Sequence, residues 1–361
     1  MKIVITALAA VLLFSAAENF SRASDFAFGA DLSFLKQAED RGTVFKDGIP
    51  RGGMMPGLQI FKNHGYNWIR LRIFVEPVGG NLPNDLKYTI AMAQDAKKRG
   101  YKFLLDFHYA SSWADPGKQP TPEAWKTLSH KERVKKMFDY SRDTIAAFRD
   151  AGVLPDMVEV GNEVTHGILW PDGKLPDNWK NFTDYIRAGI KGVDAGRGKN
   201  PRPKIMIHID QGGSIAKTKY FFDNLNRYKI SYDVIGFSYY PWWHGTLMDL
   251  RENLAFTANT YGKDIIVVET AYNWRPARES ADRVGPFPET PEGQREFLDE
   301  VTCVVLATPN GRCKGIFWWE PAVGNRGGLV SRSFFDENGN PLPVISVFDK
   351  YTRPAPRKAG Q

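Results

Sequence analysis

The sequence predicts a single closed (β/α)8 TIM barrel, an α/β fold class supported by three observations. Eight short apolar segments alternate with longer segments of helical periodicity, which is the element order of such a barrel. Two of these segments run into a glutamate, as in residues 158–163 and 264–270. A doubly wound open sheet is the alternative, but it requires a glycine-rich phosphate-binding turn after an early strand, and the sequence contains none.

The strands are predicted from short apolar runs that are bounded by turn residues. They are residues 26–31, 68–75, 103–108, 157–161, 204–209, 234–239, 265–269 and 315–319. Capping residues delimit the helices between them. Asn84 is expected to cap one helix that Gly100 ends, and Thr290 followed by Pro291 is expected to begin the last long helix.

The N-terminus has the organisation of a secretory signal peptide. Lys2 precedes an uncharged apolar run at 3–14, and small residues follow at 15–17. This run is shorter than the roughly 20 residues that a membrane-spanning helix needs. We therefore expect residues 1–23 to be removed, and residues 24–361 to form one catalytic domain that is secreted to the periplasm or the medium.

Composition and charge narrow the function classes. The 361 residues are 42% hydrophobic and 13% aromatic, which suits a large core, and the net charge is +7. The basic residues are scattered and form no run, so binding to nucleic acid is disfavoured, and no membrane association is expected. Cys303 and Cys313 are the only cysteines, and in an oxidising compartment we expect them to form a disulfide.

Polar and aromatic side chains recur at the ends of the predicted strands. They include Asp31, Arg70, Arg72, His108, Asn162, Glu163, Asp210, Tyr239, Tyr240, Glu269, Trp319 and Glu320. The C-terminal ends of parallel strands meet at one mouth of a barrel, which is where barrel enzymes place their chemistry. Two carboxylates at that mouth suffice to cleave a glycosidic bond, because one can donate a proton while the other attacks the sugar carbon.

Seven motifs make the comparison with known enzymes specific. They are FGADLS (28–33), WADPGKQ (113–119), LWPDG (169–173), SYYPWWHG (238–245), VVETAYNW (267–274), TPEGQ (290–294) and FWWEPA (317–322). Together they resemble the endo-β-1,4-galactanases of glycoside hydrolase family 53, within the clan of retaining glycosidases built on this barrel. The likeness covers essentially the whole mature chain. It implies a β-1,4-galactan substrate of the type I arabinogalactan (pectic) class.

The resemblance implies a role for each of the two glutamates. Glu163, in GNE, would be the general acid/base, and Glu269, in VVETAY, would be the nucleophile. In a retaining enzyme their carboxyl groups would lie roughly 5 to 5.5 Å apart. Arg72 would hold the nucleophile ionised, and strand alternation favours Arg72 over Arg70 because Arg70 should lie one layer deeper.

Other side chains are expected to bind the substrate. The resemblance implies that Asn162 bonds to the sugar 2-hydroxyl, that Tyr239 or Tyr240 contacts the nucleophile, and that Trp319 lies under the ring. Five further tryptophans are candidates for stacking on sugar rings. The full set of binding candidates is Asp31, Arg72, His108, Trp113, Asn162, Trp170, Tyr239, Tyr240, Trp242, Trp243, Trp274 and Trp319.

Several alternatives stay open. Another retaining enzyme of the same clan, such as a mannanase, cellulase or exo-β-galactosidase, would use the same two glutamates, whereas a non-hydrolytic carbohydrate-binding barrel would need neither. Glu159 is interpreted as a barrel-interior residue, and Glu320 is a weaker candidate for the cleft. The loop at 277–289 lacks the pattern of a calcium site, so no metal and no cofactor are expected. A monomer is expected.

Overall fold

The computed structural model describes residues 26–48, 54–79, 81–277, 283, 285–324 and 327–352. Eight parallel strands close into a barrel, with helices in the connections between them, so the predicted (β/α)8 fold is confirmed. The signal peptide predicted for residues 1–23 lies outside the described residues, as do residues 278–282 and 284 of the loop that lacks a calcium-site pattern. None of the helices in the described ranges is long and apolar enough to cross a membrane.

All eight predicted strands are present, with ends that move by at most two residues. They are β1 (Ala27–Asp31), β2 (Trp68–Ile73), β3 (Lys102–Phe107), β4 (Met157–Val160), β7 (Lys204–Ile209), β8 (Val234–Tyr239), β9 (Asp264–Thr270) and β10 (Cys313–Trp319). Their order around the barrel is β1-β10-β9-β8-β7-β4-β3-β2. A small antiparallel hairpin, β5 (Gly167–Ile168) and β6 (Gly173–Lys174), lies in the connection that follows β4.

The helices occupy the connections between the strands. They are α1 (Leu35–Asp40), α2 (Gly57–Asn63), α3 (Leu86–Lys98), α4 (His130–Asp150), α5 (Trp179–Gly196), α6 (Ile215–Arg227), α7 (Pro241–His244), α8 (Leu247–Tyr261), α9 (Pro291–Leu306) and α10 (Asp349–Thr352). Short 3-10 helices lie at Glu123–Trp125, Val164–His166, Pro309–Gly311, Gly327–Arg332 and Pro343–Ser346. The 3-10 helix Gly327–Arg332 belongs to the connection after β10 and brings Arg332 to the mouth of the barrel.

One predicted helix cap is confirmed and another is wrong. The Thr290 side chain accepts a hydrogen bond from the backbone of Gly293 and caps α9, with Pro291 in the first turn. Asp85, not Asn84, caps α3, because the Asp85 carboxylate accepts the N–H of Tyr88 while the Asn84 amide donates to a backbone carbonyl in the connection after β1. Asn and Asp are both favoured N-cap residues, so the sequence alone does not show which of these two neighbours caps the helix.

The barrel interior is layered along its axis. Side chains at alternate strand positions point inward, and those nearest the N-terminal ends form an apolar cluster that closes the bottom of the barrel. The cluster comprises Ala27, Trp68, Leu104, Met157, Met206, Val234, Ile266, Val268 and Phe317. Gly29 makes room for Phe317, since a Cβ on Gly29 would lie 2.2 Å from that ring. The next inward positions toward the C-terminal ends are polar, and they carry the site.

The predicted disulfide between Cys303 and Cys313 is wrong, because both residues are free thiols. Cys303 lies on an exposed position of α9, with its Sγ 3.4 Å from the hydroxyl of Tyr351. Cys313 begins β10 and is buried, and burial raises the pKa of its thiol to about 12. The two side chains therefore occupy different environments, one at the protein surface and one inside it.

Candidate active site

A layer of buried charged residues, here called the charged layer, lies directly above the apolar cluster. It comprises Asp31, Arg70, Arg72, Asp106, Glu159 and His208, each at most 1% exposed. They come from β1, β2, β3, β4 and β7, two positions beyond residues of the apolar cluster in most of these strands. Buried charges are tolerated when they are paired and hydrogen-bonded, and both arginines of this layer are paired with its carboxylates.

Arg70 is the centre of the charged layer. Its guanidinium contacts Asp31 at 2.9 Å, Asp106 at 3.0 Å and both oxygens of Glu159 at 2.9 and 3.0 Å. Its Nη1 also lies 2.7 Å from Oε1 of Glu269 at the mouth of the barrel. Glu159 is thus an interior residue that orients Arg70.

The expected contact between Arg72 and the nucleophile is therefore wrong. Arg72 pairs with Glu320 and, at 3.5 Å, with Asp31, and its guanidinium lies over the ring of Trp113 at 4.5 Å. Arg72 is 1% exposed and Glu320 is fully buried, so neither reaches the substrate. Strand alternation correctly placed both arginines inside the barrel, but the directions of the two side chains decide which one meets Glu269.

Above the charged layer, a cleft of about 610 Å³ opens at the C-terminal mouth of the barrel. Glu163 and Glu269 both line it, from the ends of β4 and β9. The other lining residues include His108, Trp113, Asp115, Lys118, Asn162, Asp210, Tyr240, Trp243, His244, Trp319, Leu329 and Arg332. The two glutamates from the two strand ends thus face one common space.

Glu163 occupies a strained and poorly solvated position. It is 8% exposed, and its backbone is left-handed with φ 46°. The hydroxyl of Ser238 donates to its Oε1 at 2.6 Å. Burial, followed by the charges of Glu269 and Asp210, holds the pKa of Glu163 well above its usual range. A carboxyl group in this environment keeps its proton to higher pH, as a general acid requires.

Glu269 has the opposite surroundings. Its Oε1 faces the guanidinium of Arg70, and its Oε2 accepts a hydrogen bond from the hydroxyl of Tyr240 at 2.9 Å. It is 5% exposed, so these two donors replace most of its water. Burial and the neighbouring Glu269 raise the pKa of the Tyr240 hydroxyl, which therefore remains a donor. Glu163 thus lies near other acidic side chains, whereas Glu269 contacts two hydrogen-bond donors.

A chain of buried hydrogen bonds runs beneath Glu163. Ser238 bonds to Nε2 of His208 at 2.8 Å, and Nδ1 of His208 lies 2.5 Å from Glu159. Burial acts to raise the pKa of Glu159, but Arg70 and His208 lower it to about 2, so Glu159 accepts the Nδ1 proton. The Ser238 hydroxyl can then donate to ionised Glu163, or accept from protonated Glu163 while donating to His208.

His108 and Asn162 form one side of the cleft. Burial, then Arg72 and Arg70, lower the pKa of His108 to about 3, so its ring is neutral. Its Nδ1 accepts the backbone N–H of Ala114 at 3.2 Å, which leaves the Nε2 proton for Asp106. Asn162 accepts from Arg70 at 2.8 Å and donates to the carbonyl of Ala114. These bonds fix the loop after β3 against the site.

The aromatic candidates divide between the cleft and the core. Trp113, Trp243 and Trp319 line the cleft, and Trp243 is 44% exposed. Trp242 instead stacks on Tyr272 at 5.2 Å and is buried, so the expectation that it stacks on substrate is not met. Neighbouring residues on a helix point to different sides of it, and the sequence alone does not show which of the two tryptophans faces the cleft.

Four further candidates lie away from the cleft. Tyr239 is fully buried and donates to the carbonyl of Gly245, so Tyr240 is the tyrosine that contacts Glu269. Asp31 belongs to the charged layer and is 0% exposed. The indole N–H groups of Trp170 and Trp274 each donate to a backbone carbonyl at 2.8 Å, and neither ring lines the cleft.

Asp210 and Arg332 are among the cleft residues that had no predicted role. Asp210 follows β7 and lines the cleft, and it was noted at a strand end without a function. Arg332 lines the cleft from the connection after β10. That connection has neither strand periodicity nor a motif, so nothing in the sequence places Arg332 in the site.

Comparisons with known proteins agree with this geometry. Residues 27–348 match the family model described as glycosyl hydrolase family 53. A probable arabinogalactan endo-beta-1,4-galactanase A of Neosartorya fischeri is 35% identical, over 81% of this chain and 83% of that protein. An arabinogalactan endo-beta-1,4-galactanase of Humicola insolens is 33% identical, over 89% and 98%. The solved catalytic domain of an Ignisphaera aggregans family 53 protein superimposes with a TM-score of 0.82 at 32% identity, covering 90% of this chain and 95% of that domain. The chain belongs to glycosyl hydrolase family 53.

Proposed function

We propose that this protein hydrolyses the β-1,4-galactosidic linkages of galactan internally and with retention of anomeric configuration. One observation carries the proposal: Glu163 and Glu269 line the same cleft in opposite electrostatic environments. A buried acid with a raised pKa suits proton donation, and a carboxylate held by Arg70 suits nucleophilic attack. The names of the family 53 relatives supply the galactan and the endo mode of action.

In the first step, Glu269 attacks the anomeric carbon of the sugar while Glu163 protonates the departing oxygen. The bond between the anomeric carbon and the Glu269 carboxylate forms as the glycosidic bond breaks. As the Glu269 charge is lost, Arg70 retains its other carboxylate partners, so no buried cation is left unpaired. Tyr240 can keep donating to the ester oxygen.

In the second step, ionised Glu163 accepts a proton from water as the water oxygen attacks the anomeric carbon, and the bond from that carbon to Glu269 breaks and releases the Glu269 carboxylate. The Ser238 hydroxyl donates to Glu163 while Glu163 is ionised. Attack from the face that the leaving group vacated restores the original anomeric configuration. Each carboxylate returns to its starting protonation state, so the cycle closes without a cofactor.

The setting of the reaction is also part of the proposal. Export through a signal peptide at residues 1–23, followed by a catalytic domain at 24–361, would give the enzyme access to a polysaccharide outside the cell. Action as a monomer is also part of the proposal.

The proposal is tested with purified protein and a panel of β-linked polysaccharides. Galactan should release reducing ends with a rapid fall in viscosity, while mannan, cellulose and xylan should release far less. NMR of the first products should show the β-anomer. Preferential hydrolysis of another polymer would favour a different activity of the same clan, and absence of hydrolysis with retained sugar binding would favour a non-hydrolytic protein.

A further inference from the structure

Arg332 is a buried cation that faces the cleft. It ends the 3-10 helix Gly327–Arg332, is 9% exposed, and lines the cleft together with Glu269, Trp243 and Trp319. Four aromatic rings surround its guanidinium. The distances from Cζ to the ring centres are 5.5 Å for Trp319, 5.7 Å for Trp242, 5.8 Å for Tyr240 and 5.9 Å for Trp243.

The side chain of Arg332 makes no hydrogen bond or ion pair with the residues that the structure describes, and its Nε is buried without an acceptor. The other buried arginines differ. Arg70 and Arg72 pair with carboxylates, and Arg133 donates to three backbone carbonyls. Ring faces offset part of the desolvation cost of a guanidinium, but they accept none of its five N–H groups in the manner of an oxygen. The guanidinium N–H groups of Arg332 therefore have no oxygen acceptor among the described residues.

The charges of the cleft indicate what kind of acceptor completes Arg332. Among the residues that the structure describes, four acidic residues line the cleft, Asp115, Glu163, Asp210 and Glu269, together with the cations Lys118 and Arg332. These carboxylates would repel an anionic ligand, but they would not repel a neutral sugar hydroxyl. A sugar also offers an apolar face to an indole ring and hydroxyl oxygens at its edge, which matches a guanidinium set between two tryptophans.

We propose that Arg332 is a substrate-binding residue that donates hydrogen bonds to the hydroxyl oxygens of a neutral galactosyl unit seated between Trp243 and Trp319. This inference rests on the proposed galactan substrate and adds a determinant of its binding. Arg332 contacts the ring of Tyr240 but not the carboxyl of Glu163 or Glu269. Its bonds to a sugar are therefore made in the ground state and the transition state alike, and their loss should raise KM and leave kcat unchanged.

The test compares wild type with Arg332→Met, Arg332→Lys and the control Arg227→Met. Arg227 is the last residue of α6, is exposed and does not line the cleft, so the control removes an arginine away from the proposed binding position. Steady-state kinetics on galacto-oligosaccharides, the pH profile of kcat and thermal unfolding are measured for each protein. We expect Arg332→Met to raise KM roughly tenfold or more with kcat within about twofold, Arg332→Lys to recover part of the loss, and the control to change little.

The stability measurement separates this role from a structural one. Replacing an unpaired buried cation with an apolar side chain should leave Tm unchanged or raise it. A lower Tm with unchanged KM would make Arg332 a packing residue and overturn the inference. A fall in kcat with a displaced pH profile would show that Arg332 acts on Glu163 or Glu269 instead of on the bound sugar, and this result would also overturn the inference.

The substrate panel distinguishes failure of the inference from failure of the proposed function. If wild type prefers another neutral β-glycan, the proposed galactanase activity fails, and the KM comparison is repeated on that polymer. If wild type cleaves galactan but Arg332→Met retains its KM, only the inference fails. If Arg332→Met loses affinity only for uronate-bearing oligosaccharides, the ligand is an anion and the inference is wrong.

Discussion

The guanidinium of Arg70 lies 2.7 Å from the carboxylate of Glu269 and bonds through its other nitrogens to Glu159, which in turn contacts His208. His208 reaches Glu163 through Ser238. The two glutamates that face each other in the cleft are thus joined beneath it by a continuous path of buried hydrogen bonds. The charged layer thus contacts Glu269 directly and Glu163 through Ser238.

Replacing Glu163 with Gln should affect substrates according to their leaving groups. Loss of the general acid should lower kcat on galactan by roughly 10²- to 10⁴-fold. An aryl β-galactoside with an acidic phenol needs little protonation, so its first step should be nearly normal. Pre-steady-state release of the phenol measures that step. An equal loss on both substrates would contradict the role of Glu163 as the acid.

Removing the hydroxyl of Ser238 should shift the alkaline limb of the activity profile. Glu163 acts as an acid only while protonated, so kcat/KM falls as the pH rises through its pKa. Ser238 is among the groups that lower that pKa, and its removal should raise it further. The alkaline limb of Ser238→Ala should therefore move to higher pH, while Ser238→Thr, which keeps a hydroxyl, should resemble wild type. A shift of Ser238→Ala to lower pH would refute the assignment.

Arg70 should be important for both stability and activity, whereas Arg72 should be important mainly for stability. Arg70→Met would leave the carboxylates of Asp31, Asp106 and Glu159 without their shared cation and should lower the free energy of unfolding by about 3 to 5 kcal/mol. It should also remove activity, because Glu269 loses its partner. Urea unfolding measures the first effect. Arg72→Met, which breaks the pair with Glu320, should destabilise the fold but retain more activity; equal inactivation would contradict the distinction.

The stability of the fold should respond to acid through Glu159. Its folded pKa of about 2 lies below the usual value for a glutamate, so its ionised form stabilises the folded state above that usual value. This contribution is lost as the pH falls toward 2. Urea unfolding at several pH values between 2 and 6 should show less pH dependence for Glu159→Gln than for wild type. An equal pH dependence of the unfolding free energy in both proteins would show that other groups account for the loss of stability in acid.

The cysteines should react differently with a thiol reagent. Cys303 is exposed and should be modified in the folded protein, whereas Cys313 is buried and should react only after unfolding. Titration with Ellman's reagent should therefore count one thiol before denaturation and two afterwards. Reduction beforehand should not change either count. Zero thiols in the unreduced, denatured protein would instead support the disulfide that the sequence suggested.

Strand periodicity and the strand-end motifs were enough to predict the barrel, its eight strands and the cleft location of Glu163 and Glu269. Three details needed the structure. Arg70 and Arg72 share a face, so only the directions of their side chains decide which one meets Glu269. Trp242 and Trp243 are adjacent on a short helix and point to the core and the cleft. Arg332 lies in an irregular connection, and no periodic pattern in the sequence predicts where that connection runs.

The central claim, that Glu269 forms a covalent bond to the sugar that Glu163 helps to cleave, is tested most directly by trapping that intermediate. The protein is incubated with a 2-deoxy-2-fluoro-β-galactoside that has a good leaving group, digested and sequenced by mass spectrometry. The added galactosyl mass should lie on Glu269, and Glu269→Gln should acquire none. A label on another carboxylate, or products of inverted configuration with no label, would contradict the account.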